Sequence, residues 1–142
     1  MAHYALINQD DTVVKVIVGV DENVVQIDTD GTEVGGSTQA WEAFYANQPI
    51  HAGLYCKRTS YNTVHNQHIN GGTPFRGNYA AIGFKYIAEF DVFIPPKPFL
   101  SWKLNYNTFV WEPSVPMPEP IEGHAWRWSE LNKEWVSVLI SE

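Results

Sequence analysis

An aromatic pattern that occurs three times in the C-terminal half constrains the fold more than any other feature. In "FKYIAEFDVFI" (84–94), "WKLNYNTFVWE" (102–112) and "WRWSELNKEWV" (126–136), the first and tenth residues are aromatic and the second is basic. The third residue is large and apolar in each copy. Side chains alternate between the two faces of a strand, so the first and third residues share one face and the basic residue points to solvent. The pattern predicts three β-hairpins, each with its turn at the centre.

We expect the first and tenth residues of each copy to face each other across the hairpin. These pairs are Phe84/Phe93, Trp102/Trp111 and Trp126/Trp135. Cross-strand aromatic pairs contribute roughly 0.2–1 kcal/mol each, so such hairpins need little additional core. Tyr4 and Val13 share the same spacing around a polar turn, which predicts another hairpin at the N-terminus.

The remaining regular structure is predicted in the N-terminal half. The β-branched runs "VVKVIVGV" and "NVVQI" favour strands. The segment "STQAWEAFYANQ" predicts one helix over residues 37–47, with Ser37 or Thr38 as its N-cap. Three aromatic residues at helical spacing within it are expected to cover one face of a sheet.

Two further segments set the expected domain organisation. Residues 51–78 are polar and lack helix or strand periodicity, so we expect a long loop that a partner orders, since loops of this length are typically functional. Seven of the nine prolines lie between residues 95 and 120, and they predict stiff spacers that hold the hairpins apart. We therefore expect a mainly β chain with an N-terminal domain over residues 1–80, containing strands, the short helix and the loop. Three Pro-spaced hairpins follow over residues 81–142.

Composition argues against several kinds of partner. The chain of 142 residues has a net charge of −7 and nine scattered Lys and Arg residues, whereas nucleic-acid-binding proteins cluster basic residues on one face. The single cysteine, Cys56, excludes an intrachain disulfide and requires no oxidising compartment. No apolar run approaches the roughly 18 residues of a membrane span, and the N-terminus lacks signal-peptide features. We expect synthesis in the cytoplasm, with no nucleic-acid or membrane partner.

The chain offers few groups for catalysis or metal binding. His65 and His68 form an H-x-x-H pair, and His51, Cys56 and His124 lie elsewhere, but no second pair has the spacing of zinc ligands. There is no nucleophile elbow, phosphate-binding loop or dinucleotide-binding motif. We therefore expect no catalytic residue, no cofactor and no metal, and hence a protein that is not an enzyme.

Two kinds of binding surface fit the aromatic residues. Trp beside Asn and Asp can stack on the apolar faces of sugars, and the same aromatic residues with Arg and Pro are enriched in protein interfaces. The sequence leaves both open. The interface candidates are four residues of the long loop region and five tryptophans: Tyr61, Phe75, Arg76, Tyr79, Trp102, Trp111, Trp126, Trp128 and Trp135.

Residues 75–120, from "FRGNYAAIGFKY" to "WEPSVPMPEP", resemble the small virion-associated structural proteins of tailed marine bacteriophages of the cyanophage type. The likeness extends through "CKRTSYN" upstream and "AWRWSELNKEWV" downstream, so it covers most of the chain. Its most specific motifs are "NYAAIG", "FIPPKPF" and "WEPSVPMP".

The resemblance implies a non-enzymatic component of the virion, assembled in the host cytoplasm. Attachment to the capsid as a decoration protein and attachment to the tail as an accessory protein are both open, with major capsid or tail proteins as partners. Self-association into a homo-oligomer is also open. The resemblance supplies no catalytic residues. The alternative is a carbohydrate-binding module that binds a host glycan and aids adsorption.

Overall fold

The computed structural model describes residues 2–140, which are mainly β with one α-helix, as the sequence predicts. In chain order the elements are β1 (Ala2–Ile7), β2 (Val13–Gly19), β3 (Val25–Ile27), β4 (Glu33–Gly35), α1 (Thr38–Ala46), a 3-10 turn (Pro49–His51), β5 (Tyr55–Thr59), β6 (Thr63–Val64), β7 (Gln67–His68), β8 (Lys85–Ile87), β9 (Val92–Ile94), β10 (Lys103–Asn105), β11 (Val110–Glu112), β12 (His124–Ser129) and β13 (Glu134–Leu139). No helix within these residues is long and apolar enough to span a bilayer.

The chain forms two compact units. The first unit extends to Pro96 and also includes Asn107–Phe109, whereas the second comprises Lys97–Tyr106 and the chain from Val110 onward. The first unit contains an antiparallel sheet of order β2-β1-β5, and the hairpins β3–β4, β6–β7 and β8–β9. The second unit contains the strand pairs β10–β11 and β12–β13.

The central strand β1 is buried on both faces of its sheet. Tyr4 and Leu6 pack with Trp41 of α1 on one face. Ala5 and Ile7 pack on the other face against the β8–β9 hairpin. Because adjacent residues of a strand point to opposite faces, a strand covered on both sides is apolar throughout. This explains why "AHYALI" shows no alternation of polar and apolar residues.

The predicted helix is confirmed, with its ends close to the expected ones. The Ser37 hydroxyl accepts a hydrogen bond from the Ala40 backbone N–H at 3.1 Å, and Asn47 is the C-cap. Trp41 is fully buried and packs against Gly35, which has φ +92°. An ideal Cβ on Gly35 would lie 2.3 Å from the indole ring, so this close approach of β4 to the helix requires glycine.

The three predicted C-terminal hairpins are also confirmed. They are β8–β9, β10–β11 and β12–β13, each joined by a four-residue turn. The fourth turn residue is left-handed in every case, with φ between 54° and 55° at Asp91, Phe109 and Lys133. The repeated sequence pattern therefore encodes one repeated turn geometry, although none of these residues is glycine.

The expected pairing of first with tenth residues is wrong. The tenth residue lies opposite the third one instead, in the pairs Tyr86/Phe93, Leu104/Trp111 and Trp128/Trp135. Trp126 lies opposite Ser137. A four-residue turn places residues i and i+7 opposite each other at these positions, so residues i and i+9 are diagonal neighbours on one face.

The expectation of a structureless loop over residues 51–78 is wrong in part. It contains β5, which pairs with β1 in the central sheet, and the β6–β7 hairpin. Lys57 and Arg58 make the sequence of β5 polar, so its pattern does not identify it as a strand. Cys56 on the same strand nevertheless packs into the core beside α1. The β6–β7 turn has two left-handed residues, His65 (φ 51°) and Asn66 (φ 59°), as expected for a tight two-residue turn.

The domain boundary and the expected separation of the hairpins also differ from prediction. The β8–β9 hairpin belongs to the first unit because Tyr86 and Phe93 are part of its core, so the boundary follows Pro96 instead of residue 80. The other two hairpins are not held apart by their proline spacers. Their contact, formed through Trp102 and Trp135, is described below.

Candidate interaction surface

Three tryptophans join the two hairpins of the second unit. The Trp102 ring packs edge-on against Trp128 and Trp135, with ring centroids 5.9 and 6.1 Å apart. Trp128 and Trp135 are cross-strand partners with centroids 5.3 Å apart. We call these residues the tryptophan cluster. Edge-to-face pairs are a favourable aromatic geometry, and Trp128 is buried, so the cluster acts as a small core for this unit.

The proline-rich segment before β12 is attached to the same hairpin by indole groups. Trp126 Nε1 donates to the Glu119 carbonyl at 3.0 Å, and Trp135 Nε1 donates to the Val115 carbonyl at 2.8 Å. The spacer therefore lies along the hairpin and satisfies two indole N–H groups. These groups are already bonded within the chain and are not available to a ligand.

Glu130 connects the β12–β13 turn to the segment that precedes β10. Its carboxylate accepts hydrogen bonds from the Ser101 hydroxyl at 2.6 Å, the Ser101 backbone N–H at 2.9 Å and Trp128 Nε1 at 3.0 Å. The Ser101 hydroxyl is the main cause that lowers the pKa of Glu130 to about 2, with Trp128 next. The ionised carboxylate thus holds both hairpins to the tryptophan cluster.

Trp111 occupies a separate environment in the second unit. It lies opposite Leu104 in the β10–β11 pair, and the Lys97 ammonium group is 5.3 Å from its ring centroid. This geometry is that of a cation–π contact. Of the five tryptophans that were interface candidates, Trp128 is buried and the other four are half-buried.

The large exposed side chains of the second unit are mainly aliphatic. Leu100 is 86% exposed and Leu131 is 91% exposed. Each leucine is the sequence neighbour of one member of the hydrogen-bonded pair Ser101 and Glu130, so their backbones lie in the same part of the unit. The described part of the second unit has six further large exposed aliphatic residues, which we group with the two leucines as the aliphatic set: Val115, Met117, Ile121, Val136, Leu139 and Ile140.

The predicted loop anchors Phe75 and Arg76 make contacts within the first unit. Arg76 Nη1 lies 2.6 Å from a Glu42 carboxylate oxygen, and both side chains are less than 10% exposed. Arg76 Nε lies 2.9 Å from Asp91, and Arg76 Nη1 also donates to the Arg58 carbonyl at 2.9 Å. The Phe75 ring lies 4.0 Å from the Arg58 guanidinium and 4.8 Å from that of Arg76.

The other two anchors, Tyr61 and Tyr79, both pack edge-on against His3, with ring centroids 5.3 and 5.5 Å away. The segment is therefore held by its own chain, and its binding to a neighbouring protein stays a prediction.

The structure also places Asn78, which was not a candidate, at the centre of this region. Its side chain accepts from the His65 N–H and donates to the Phe93 and Phe109 carbonyls. No sequence signal distinguished it from the other asparagines nearby.

The residues considered for metal or nucleophilic chemistry do not come together. Among residues 2–140 no three His, Cys, Asp or Glu side chains are arranged to hold a metal ion. His65 lies in the β6–β7 turn, and His51 is buried with Nδ1 2.6 Å from the Tyr45 carbonyl. Burial raises the pKa of the Cys56 thiol to about 12, so this group is not a nucleophile near neutral pH.

The second unit also has an open cleft of about 290 Å³. It is lined by Ser101, Lys103, Leu104, Glu112, Pro113 and Ser114. Ligand pockets generally enclose most of a ligand, whereas this cleft is open to solvent.

Comparison of the chain with protein-family models, with curated protein sequences and with solved structures returns no significant match.

Proposed function

We propose that this protein is a non-enzymatic structural component of a bacteriophage particle, either a capsid decoration protein or a tail-associated accessory protein. Its second unit binds other virion proteins through the aliphatic set. The sequence resemblance supports the virion assignment, and the surface of the second unit supports the mode of binding.

One observation carries the proposal: the second unit uses its tryptophans internally and leaves aliphatic side chains exposed. The rings of Trp102, Trp128 and Trp135 pack on one another, whereas Leu100 and Leu131 are almost fully exposed. Groups of exposed apolar side chains favour protein–protein contact, because association removes them from water.

The same observation weakens the carbohydrate-binding alternative. A sugar platform needs an open aromatic face and free polar groups for the hydroxyls. Here the indole N–H groups of Trp126 and Trp135 are bonded to backbone carbonyls. Tyr106 is the most exposed aromatic residue of the second unit, at 62% exposure, and it offers a single ring.

Mass spectrometry of purified particles tests the virion assignment. We expect the protein at a fixed copy number relative to the major capsid protein. For a decoration protein this copy number is set by the symmetry of the capsid lattice, and for a tail protein it is small. Absence of the protein from particles that contain every other structural protein would overturn the proposal.

Reconstitution tests the binding mode. Particles lacking the protein are mixed with purified chain carrying Leu131→Asp or, as the matched control, Asn132→Asp. Both positions are exposed and both changes add one negative charge, but only the first removes an aliphatic side chain. We expect Leu131→Asp to lose binding and Asn132→Asp to retain it. Equal particle binding by both variants would overturn the aliphatic set as the binding surface. Glycan-array binding by a chain that does not associate with particles would favour adsorption instead.

A further inference from the structure

The turn of the β10–β11 hairpin contributes three residues to the first unit. We call Asn107–Phe109 the tip, and it belongs to that unit although its flanking strands do not. Phe109 is buried, with its ring centroid 6.3 Å from that of Phe90. Asn66 Nδ2 donates to the Asn107 carbonyl at 3.0 Å. Asn78 Nδ2 donates to the Phe109 carbonyl at 2.9 Å.

The groups that receive the tip form a site of defined shape, which we call the seat: Asn66, Gly77, Asn78 and Phe90. Gly77 has φ +77°, and an ideal Cβ there would lie 3.3 Å from the Phe109 ring and 3.0 Å from Val92. The seat therefore fits a large aromatic side chain closely. It recognises the tip through that side chain and through two backbone carbonyls.

The chain leaves the seat after Phe93 and returns to it at Phe109, and the Asn78 side-chain amide binds both points. Asn78 Nδ2 donates to the carbonyls of both Phe93 and Phe109, so residues 94–108 form a closed excursion. Near its start this excursion contains Pro95, Pro96 and Pro98. Proline-rich segments favour extended conformations, and closing a loop costs conformational entropy. Both effects oppose the closure of the tip onto its own seat.

From these observations we infer that the seat also accepts the tip of a second copy of this chain, so that exchange of tips joins copies of the protein. Each contact made within one chain is replaced by an identical contact between chains, and the closed excursion is released. Exchange of an identical element is a low-cost route to a dimer. The inference does not depend on the virion assignment, because it concerns only the chain and its own copies.

Shortening the excursion provides the first test. Deletion of Lys97 and Pro98 leaves every seat and tip residue in place but shortens the path back to the chain's own seat. We expect the full-length deletion variant to be dimeric by light scattering coupled to size exclusion. Adding Phe109→Asp should return it to a monomer, because a carboxylate cannot replace the ring that packs against Phe90 and Gly77. A deletion variant that stays monomeric, or that dimerises equally with Phe109→Asp, would overturn the inference.

A disulfide between tip and seat provides the second test without a deletion. The full-length chain carries Asn66→Cys and Asn107→Cys in a Cys56→Ala background, and equal amounts of ¹⁵N-labelled and unlabelled protein are mixed, unfolded, refolded together and oxidised. We expect mixed-isotope disulfide peptides joining positions 66 and 107, in a fraction that rises with protein concentration. A complete absence of mixed-isotope peptides at all concentrations would show that the tip stays in its own seat.

Discussion

The two units bury their side chains in different ways. The first unit has two apolar clusters on opposite faces of one sheet, and it also buries the ion pair between Arg76 and Glu42. In the second unit Trp128 is buried, whereas most of the large aliphatic residues of this unit are exposed. Small structures cannot bury enough surface to form a large core. Edge-to-face tryptophans and one carboxylate therefore supply order in the second unit, and aliphatic side chains such as Leu100 and Leu131 stay exposed.

Removing the buried arginine should cause the largest change, and it should affect the first unit alone. Arg76→Met leaves the Glu42 carboxylate buried without its cation. We expect a loss of about 3–5 kcal/mol in the free energy of unfolding, as is usual when one partner of a buried ion pair is removed. The measurement is a urea titration in which a thiol reagent reports the exposure of Cys56. Cys56 lies in the core of the first unit, so its labelling follows the unfolding of that unit.

The matched control is the same type of substitution in the second unit. Lys133→Met removes the ammonium group that lies 3.6 Å from Glu130 at the surface, where ion pairs contribute little. Comparable losses for the two variants would contradict the contrast between the units.

Truncation within the tryptophan cluster should have the next largest effect. Trp135 makes two edge-to-face contacts, with Trp102 and Trp128, each worth about 0.5–1.5 kcal/mol beyond burial. We expect Trp135→Ala to destabilise the second unit by about 1–3 kcal/mol through those contacts alone. Tryptophan fluorescence during urea titration reports it, because five of the six tryptophans lie in this unit.

Trp111→Ala offers the internal comparison for that measurement. Trp111 lies outside the tryptophan cluster, so we expect a smaller loss of about 1 kcal/mol. If Trp111→Ala proved the more damaging change, the cluster would not be the core of the second unit.

Acid should weaken the second unit through Glu130. Its folded pKa is lowered from 4.5 to about 2, so its stabilising contribution is present above pH 4.5 and is lost as the pH falls toward 2. We expect the tryptophan signal of the second unit to change within this window. Glu130→Gln should remove the dependence, and an unchanged acid transition in that variant would assign the effect to other carboxylates.

The smallest perturbation is the labelling of the native thiol. Cys56 is buried and its pKa is raised to about 12, so we expect almost no reaction with a disulfide reagent at pH 8 and rapid reaction in urea. Rapid labelling of the native chain would show that the first unit opens locally, and the contrast in burial would then be overstated.

Local patterns predicted the elements whose sequence carries its own turn or cap. Helix α1 is marked by Ser37 and by its aromatic spacing, and the three hairpins repeat one four-residue turn. The long segment was harder to predict because β5 gains its position from tertiary contacts. Arg58 on this strand donates to the Thr38 hydroxyl and stacks on Phe75. A basic residue therefore occupies a position where the pattern of a buried strand would have an apolar one.

The candidate surface was predicted only in part, because side-chain burial depends on contacts between distant residues. The tryptophans were expected to bind a partner, which stays a prediction, whereas the structure packs Trp102 against Trp128 and Trp135 where two hairpins meet. The exposure of Leu100 and Leu131 is likewise a property of the folded chain that the linear pattern does not give. A sequence pattern indicates which side chains share a face of one strand or helix. It does not indicate which strands and helices pack against each other.

The position of Phe109 in the first unit has a consequence for the order of events during synthesis. N-terminal domains generally fold first as the chain leaves the ribosome. Here the seat around Asn78 stays incomplete until Phe109 has emerged, and by then β10 has emerged as well. Several nascent chains on one messenger would each present an open seat during this interval, close to the tips of their neighbours. With the exchange of tips that we infer, translation from a shared messenger would set which copies join before any of them diffuses away.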